Sequence, residues 1–238
     1  MPRTPAADRP ALTRETIIDA ATRLADEHGI ESVTMRRVGA EVGIEAMSLY
    51  HHVRDKSSLV GGMVDAVVDE LNERIPPPGD EARDDWQGTL RQRILSARQV
   101  MLAHPWAPAV MEQRKGTGPG LVSYYEGVLA TLRAGGFSYQ LAHRALHALG
   151  SRAMGFTQEM FAPQAPATDG PDEAEQMVAA LAEQAPHLVA MIADGLHQEV
   201  EGGLGWCDDQ SEFEFALDLL LDGLQARLDA ESRGGRTA

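Results

Sequence analysis

Apolar residues recur three and four positions apart along most of this chain, and this spacing places them on one face of an α-helix. The first such stretch carries Ile17, Ile18, Ala21, Leu24 and Ala25. No segment alternates apolar and polar residues as half-buried β-strands do. The pattern therefore predicts an all-α fold, and 238 residues are enough to bury a substantial core.

Helix-ending residues divide the chain into segments. Gly29 and Gly43 directly follow apolar stretches, residues 76–79 read Pro-Pro-Pro-Gly, and two glycines at 135–136 end a further stretch. The helices predicted in this way span about 13–28, 34–42, 46–52, 56–74, 84–103, 107–113, 121–134, 139–161, 172–185, 186–200 and 211–230. Thr13 is predicted to cap the first of them, and Ser138 the helix at 139–161.

Four regions follow from this division. Residues 1–12 contain three prolines and are predicted to form a flexible arm. Residues 13–56 form a small N-terminal domain of three helices, and residues 57–231 form a larger helical domain. The tail at 232–238 is expected to be disordered. We find no internal repeat.

Within the N-terminal domain, residues 34–56 have the pattern of two short helices joined by a glycine-containing turn. Thr34 can cap the first helix through its hydroxyl group. Val38 and Val42 are four residues apart and give that helix an apolar face, and Gly43 can end it in a left-handed conformation. Such a unit can place its second helix in a DNA major groove.

The second helix of this unit is amphipathic. Leu49 lies on the side that faces the preceding helix, and we expect it to be buried. Hydroxyl, phenol, imidazole and thioether side chains lie on the other side, at Met47, Ser48, Tyr50, His51 and His52, and Arg54 and Lys56 follow where phosphates would lie. An ordinary helical hairpin with half-buried Tyr and His side chains is the alternative.

The run Gly43-Ile44-Glu45-x-x-Ser48-Leu49-Tyr50-x-His52-Val53-x-Asp55-Lys56 resembles the DNA-binding domain of the TetR (tetracycline repressor) family. The resemblance extends over residues 13–60. It implies that Arg36 reads a base, and that recognition-helix contacts come from Ala46, Met47, Ser48, Tyr50 and His52. The complete set predicted to contact DNA is Thr34, Arg36, Ala46, Met47, Ser48, Tyr50, His51, His52 and Lys56. Many members have a Pro or small polar residue in place of Met47, which leaves the operator sequence open.

A second resemblance to the same family lies in the larger domain. The run Leu132-x-x-Gly135-Gly136-Phe137-Ser138 is followed by Ala142-x-x-Ala145-Leu146-x-Ala148-Leu149-Gly150 and by Gly155-Phe156. It implies a ligand-binding domain that forms a homodimer, through helices at about 139–161 and 211–230. Burial of both helices within one subunit is the alternative.

By the same resemblance, a ligand pocket lies among the helices at 56–74, 84–103, 121–134 and 139–161. Thioether, aromatic and imidazole groups in these segments suit an apolar ligand with a few polar anchors. The candidates are Met63, Val67, Met101, His104, Trp106, Met111, Tyr124, Tyr125, His147, Met154 and Phe156. For any one of them, ordinary core packing is the alternative.

No metal or cofactor is predicted. Family members that bind tetracycline with magnesium hold the ion partly through a histidine in the short helix after residue 104, and that histidine corresponds to Met111 here. A thioether is a poor magnesium ligand. His143 and His147 are four residues apart, but no carboxylate or cysteine accompanies them at ligand spacing, so we interpret the spacing as incidental.

The chain is acidic, with a formal net charge of −15. Residues 1–60 carry eight Lys or Arg and nine Asp or Glu, whereas residues 61–238 carry 13 and 27. Attraction to phosphates acts within a Debye length of about 8–10 Å, so the nearly neutral N-terminal domain decides DNA binding. We therefore expect few phosphate contacts and a shallow dependence of binding on salt.

Other classes of function lack support in the sequence. We find no phosphate-binding Gly loop with a Lys, no nucleophile elbow and no paired-carboxylate motif, so an enzyme is not predicted. The single cysteine, Cys207, fits a reducing compartment. No apolar run of about 18 residues and no signal peptide are found, so a cytoplasmic protein without membrane contact is expected.

These observations favour a ligand-responsive, homodimeric transcriptional repressor that a small molecule releases from a palindromic operator of double-stranded DNA. The alternative is a helical protein that binds small molecules but does not read DNA specifically. The nearly neutral N-terminal domain motivates that alternative. An enzyme built on a helical bundle is a weaker third hypothesis.

Overall fold

The computed structural model describes residues 12–114, 118–155, 182, 184–187, 189–190 and 209–234. Within these ranges all regular secondary structure is helical, which confirms the all-α prediction. None of the described helices is long and apolar enough to cross a membrane. The predicted helices at 172–185 and 186–200 lie largely outside the described residues, as do the arm at 1–11 and the last four residues of the tail.

Three α-helices form the N-terminal part, which we call the head: α1 at Arg14–His28, α2 at Met35–Val42 and α3 at Ala46–Leu49. A short 3₁₀ helix at Ile30–Ser32 joins α1 to α2. Both predicted caps are present. Thr13 accepts the Thr16 N–H at 3.2 Å, and Thr34 accepts the Arg37 N–H at 3.2 Å. These bonds satisfy backbone donors that have no partner inside the helix.

The turn between α2 and α3 requires two glycines. Gly43 adopts the left-handed conformation, with φ 76° and ψ 33°, in which a Cβ would be strained. Gly39 is buried, and a Cβ on it would lie 2.9 Å from the Ile44 carbonyl oxygen. The Ile44 N–H donates to the Gly39 carbonyl at 2.8 Å, so these residues bring α3 against α2.

The predicted helix at 46–52 is shorter in the structure. It ends at Leu49, and a turn follows in which the His52 N–H donates to the Leu49 carbonyl at 2.9 Å. Glu45 makes no side-chain hydrogen bond at the N-terminus of α3. With only four residues and no cap, α3 depends on packing rather than on its own hydrogen bonds.

Seven further helices are described: α4 at Lys56–Arg74, α5 at Glu81–Asp84, α6 at Trp86–Ala103, α7 at Ala107–Gln113, α8 at Pro119–Ala134, α9 at Tyr139–Gly155 and α10 at Asp209–Gly234. The predicted bounds of α4 and α7 are confirmed. The predicted start of α6 at residue 84 is wrong, because Asp85 caps the helix by accepting the Gly88 N–H at 2.8 Å. Pro119 starts α8 two residues earlier than predicted, as suits a proline in a first turn.

One apolar core extends from the head into the following helices. Ile17 of α1 and Leu49 of α3 are buried in the same cluster as Leu59 and Met63 of α4 and Val100 of α6. All five side chains are fully buried. The head is therefore packed against α4, which runs about 28 Å from end to end.

The described residues belong to two compact units. The first comprises residues 1–154 and 223–238 and contains α1–α8, nearly all of α9 and the C-terminal part of α10. The second comprises residues 155–222 and contains the N-terminal part of α10, where Phe213, Leu217 and Leu221 are buried. The domain boundaries expected from the sequence stay a prediction.

Leu49→Ala tests the packing that holds α3. Leu49 is fully buried, and truncating such a leucine lowers the free energy of unfolding by about 2–5 kcal/mol. Denaturant unfolding followed by circular dichroism measures the change. Met47→Ala is the matched control, because Met47 is 73% exposed on the same short helix and its truncation should change stability by less than about 0.5 kcal/mol. Equal losses in the two variants would contradict the packing described here.

Candidate nucleic-acid interface and ligand cavity

The outer face of α3 and of the turn after it is exposed. Met47 and Tyr50 are 73% and 46% exposed, Ser48 and His51 are also exposed, and His52 is half-buried. Ala46, at the start of the helix, is half-buried as well. The structure therefore brings the predicted contact residues of this segment together on one accessible surface.

Cationic side chains flank this surface. Arg36 and Arg37, in the first turn of α2, are exposed, as are Lys56 at the start of α4 and Arg54 just before its N-cap. Arg37 was not predicted to contact DNA, although it directly follows Arg36. Arg54 was expected near phosphates but was not in the predicted contact set. Thr34 is exposed, and its hydroxyl accepts the Arg37 N–H.

Asp55 fixes the chain between α3 and α4. Its carboxylate accepts the Ser58 N–H at 2.7 Å and so caps α4. This hydrogen bond lowers the pKa of Asp55 below its ordinary value. The carboxylate is therefore ionised at neutral pH, and it holds the first turn of α4, which carries Lys56.

An apolar cavity lies between α4, α6, α7, α8 and α9. Its free volume is about 70 Å³. Most of the lining is aliphatic or aromatic, and Arg98 is the one lining residue that carries a formal charge among those described. The cavity is lined by Leu71, Ile94, Ala97, Arg98, Met101, Met111, Leu121, Tyr124, Tyr125, Val128, Leu146, Leu149 and Gly150.

The two tyrosines supply polar groups at this cavity. Their rings lie 5.9 Å apart, centroid to centroid, at an angle of 59°. Burial raises the pKa of Tyr124 to about 12. Its phenol is therefore neutral at physiological pH and can donate a hydrogen bond.

Arg93 lies behind Tyr124, with its guanidinium carbon 6.0 Å from the centroid of the tyrosine ring. The side chain is only 5% exposed, and burial lowers its pKa. It donates to the Pro76 carbonyl at 2.6 Å. Gly127 makes room for it, because any Cβ at that position would overlap the guanidinium group. Arg93 thus joins α6 to the loop after α4 and supports the tyrosine side of the cavity.

Only some of the residues predicted to bind a ligand line the cavity. These four are Met101, Met111, Tyr124 and Tyr125. Met63 and Val67 do not, because they lie on the face of α4 that packs into the core and are 0% and 1% exposed.

His104 and Trp106 face the head instead, and both contact Asp26 of α1. His147 does not line the cavity, and its ring lies 4.7 Å from that of His143. The Met154 side chain and Phe156 lie outside what the structure describes.

The sequence did not predict several of the residues that line the cavity. On α6 the lining residues Ile94, Ala97, Arg98 and Met101 follow helical spacing, so one face of this helix could have been proposed from the sequence. The contributions of α8 and α9 could not, since they depend on how the helices pack. Among the described residues, no group of three His, Cys, Asp or Glu side chains could hold a metal ion.

The fold and this exposed surface define a helix-turn-helix regulator with a separate ligand cavity. Residues 17–63 match the family model for bacterial regulatory proteins of the tetR family, and residues 77–228 match the model for the tetracyclin repressor-like C-terminal domain. The chain belongs to the TetR family. It is a ligand-responsive, DNA-binding transcriptional regulator.

Individual relatives agree with this assignment. The chain is 29% identical to the HTH-type transcriptional repressor DrrR1 of Streptomyces coeruleorubidus over 231 residues, which cover 95% of this chain and 82% of the relative. It is 28% identical to the class D tetracycline repressor protein of Escherichia coli over 221 residues, 92% of each chain.

Solved structures show the same fold. A possible TetR family transcriptional regulator from Streptomyces coelicolor A3(2) superimposes with a TM-score of 0.68 at 31% identity, covering 90% of this chain and 98% of that one. The Streptomyces coelicolor TetR family protein ActR, solved in complex with actinorhodin, gives a TM-score of 0.65 at 26% identity, covering 91% and 98%.

Tyr124→Phe tests the burial of the phenol. Because burial raises the pKa of Tyr124 to about 12, it should be the last tyrosine to ionise in a titration followed by ultraviolet absorbance. The variant should lose this final step. The neutral phenol stabilises the fold below the ordinary tyrosine pKa of about 10, and this contribution should disappear as the pH rises towards 12. A late step that persists in Tyr124→Phe would show that another tyrosine is the buried one.

Proposed function

We propose that the chain is a homodimeric repressor whose two heads bind a palindromic DNA operator and are released when a small molecule enters the cavity of each subunit. The exposed outer face of α3, held from behind by the fully buried Leu49, is the observation that carries this proposal. It displays Ser48 and Tyr50 to a partner while the fold keeps the helix in place. Membership of the TetR family indicates that this partner is double-stranded DNA.

The chemistry of the exposed residues suits a major groove. Ser48 and Tyr50 offer hydroxyl groups that can donate to or accept from base edges, and Met47 offers an apolar contact for a thymine methyl group. Arg36 can donate two hydrogen bonds to a guanine. In this arrangement the phosphates are contacted by Arg37, Arg54 and Lys56. These contacts position the head but do not read the base sequence.

A two-fold dimer places its heads about 34–36 Å apart, one turn of DNA, and so requires a palindromic operator. An exposed apolar stripe on α10 supports pairing. Phe215 and Leu219 are four residues apart and are 62% and 58% exposed. Large apolar side chains at helical spacing on a surface are typical of an interface. In the proposed dimer α9 and α10 both contribute to the interface.

The cavity favours an apolar, largely aromatic effector that carries hydrogen-bond acceptors. Aliphatic side chains and methionines provide the contact area, and the neutral phenol of Tyr124 provides a donor. The relative ActR has been solved in complex with actinorhodin, which supports a small-molecule effector. A ligand larger than the free volume of about 70 Å³ requires Met101 and Met111 to change rotamer, as flexible thioether side chains can.

Magnesium has no part in the proposed effector. Met111 lines the cavity at the position that the family resemblance assigns to a magnesium-binding histidine. A thioether sulfur does not replace an oxygen or imidazole ligand of this ion. The response to the effector should therefore be the same with magnesium and with a chelator.

The long helix α4 connects the two sites. Leu71 near its C-terminus lines the cavity, and Lys56 at its N-terminus stands beside the exposed face of α3. A ligand that displaces Leu71 tilts α4 and so separates the two heads of the dimer. The effect on operator affinity equals the difference between the ligand's affinities for the two arrangements.

Selection of DNA fragments by the full chain from a random pool tests the proposal. We expect a palindrome to be enriched. Arg36→Ala should then weaken binding to the selected duplex by about 1–3 kcal/mol and relax one base position in each half-site. Lys56→Ala should weaken binding to all sequences by a similar factor, and so provides the matched control.

The dependence of affinity on salt gives a second readout in the same assay. The three cations of each head that we assign to phosphates, Arg37, Arg54 and Lys56, predict a logarithmic slope of about −5 or shallower, against about −10 for a repressor with some ten phosphate contacts. A pool that shows no enriched sequence at low salt would favour the alternative, a helical protein that binds small molecules but does not read DNA specifically. Unchanged base discrimination in Arg36→Ala would remove the role assigned to that residue.

Gly150→Leu tests the cavity. Gly150 lines it, and a Cβ built there meets nothing within 4 Å, so a larger side chain can occupy the space without a clash. Titration calorimetry with actinorhodin as the ligand should show at least tenfold weaker binding, a loss of about 1.4 kcal/mol. Gly150→Ala is the control, because one methyl group leaves most of the space free. Equal binding by both variants would place the ligand elsewhere.

A further inference from the structure

The corner between α6 and α7 makes a polar contact with the head. The Nδ1 atom of His104 lies 2.8 Å from Oδ1 of Asp26 in α1, and its Nε2 atom lies 3.2 Å from Oε2 of Glu70 in α4. Trp106 donates its indole N–H to the same oxygen of Asp26, at 2.7 Å. One imidazole ring therefore lies between two carboxylates that belong to different helices.

The number of protons on the ring decides whether this arrangement is attractive. A neutral imidazole has one N–H, so it can donate to one carboxylate and must turn a lone pair towards the other. An imidazolium donates to both, and each bond is strengthened by charge. The side chain of His104 is only 12% exposed, so little water can separate the ring from a carboxylate that it does not bind. Only a ring with both protons can donate to Asp26 and Glu70 at the same time.

The neighbouring charges are consistent with this state. The other oxygen of Glu70 forms an ion pair with Arg74 at 2.8 Å. Oδ1 of Asp26 accepts the indole N–H of Trp106 and lies within hydrogen-bonding distance of His104.

The position of this bridge connects it to both functional surfaces. Asp26 belongs to the head, and Glu70 directly precedes Leu71, which lines the cavity. Met101 and Met111, on either side of the corner, line the cavity too. A ligand that moves these side chains therefore moves the backbone that carries His104.

We propose that His104 is a positioning residue which, as a doubly protonated imidazolium, holds α1 of the head against α4 in the arrangement that binds the operator. This inference rests on the proposed function and adds an ionic bridge to it. Loss of the bridge frees the head to reorient and so lowers operator affinity, without any change in the residues that face DNA.

Nuclear magnetic resonance of the full chain tests the charge state without DNA. With ¹⁵N-labelled histidine at neutral pH, the signals absent from His104→Gln belong to His104. We expect each of its two ring nitrogens to show a directly bonded proton. We also expect one of these protons to be lost in Glu70→Gln, because the ring then faces only one carboxylate. A singly protonated ring in the wild-type chain would overturn the proposal.

Affinity for the selected duplex tests the positioning role. His104→Gln should weaken binding at least about fivefold, the lower end of typical couplings between sites. Asp26→Asn should act in the same direction and replaces His104→Gln if that variant does not fold. Arg114→Gln is the matched control. It removes the 2.7 Å ion pair between Arg114, which follows α7, and Asp65 of α4. This ion pair does not involve the head.

The outcomes separate this inference from the function on which it rests. If the wild-type chain selects no duplex, the proposed function fails, and the ring protons of His104 still decide whether the bridge exists. If the wild-type chain binds a duplex and both bridge variants bind it equally well, the positioning role is wrong. If Arg114→Gln weakens binding as much as His104→Gln, the effect is not specific to the bridge, and the inference fails.

Discussion

Continuous apolar packing along α4 is the constraint on which the head and the cavity both depend. Near its N-terminus, Leu59 and Met63 are buried in the same core as Leu49 of α3, and near its C-terminus Leu71 lines the cavity. Close-packed side chains leave little free space to absorb a displacement. A shift at one end of the helix therefore displaces the residues at the other end. The short helix α3 has too few hydrogen bonds to stand alone, and it keeps its orientation only while this core is intact.

Local signals in the sequence predicted the helices well, since caps and helix-ending glycines act over a few residues. Thr13, Thr34 and Ser138 cap helices in the structure as expected, and Gly43 has the left-handed conformation assigned to it. The length of α3 was predicted wrongly, because the turn after Leu49 is formed by hydrogen bonds whose geometry the hydrophobic pattern does not reveal.

The residues that line the cavity were predicted less completely, because helical spacing does not show which face of a helix meets a cavity. Met63 and Val67 have side chains suited to a ligand, yet they lie on the face of α4 that packs against the head and α6. The partners of His104 are 78 and 34 residues away in the sequence, so no spacing rule points to them. Which face of a helix meets a cavity is decided by packing between distant segments, and a single sequence carries no direct signal for it.

The proposed regulator depends on contact between DNA and the outer face of α3, which Leu49 holds from behind. Amide hydrogen exchange of the full chain, with and without its selected duplex, detects this contact residue by residue. We expect new protection at residues 46–52 and at the first turns of α2 and α4, with no new protection at the amides that surround the cavity. Protection confined to the cavity helices, with residues 46–52 exchanging as in the free chain, would contradict it.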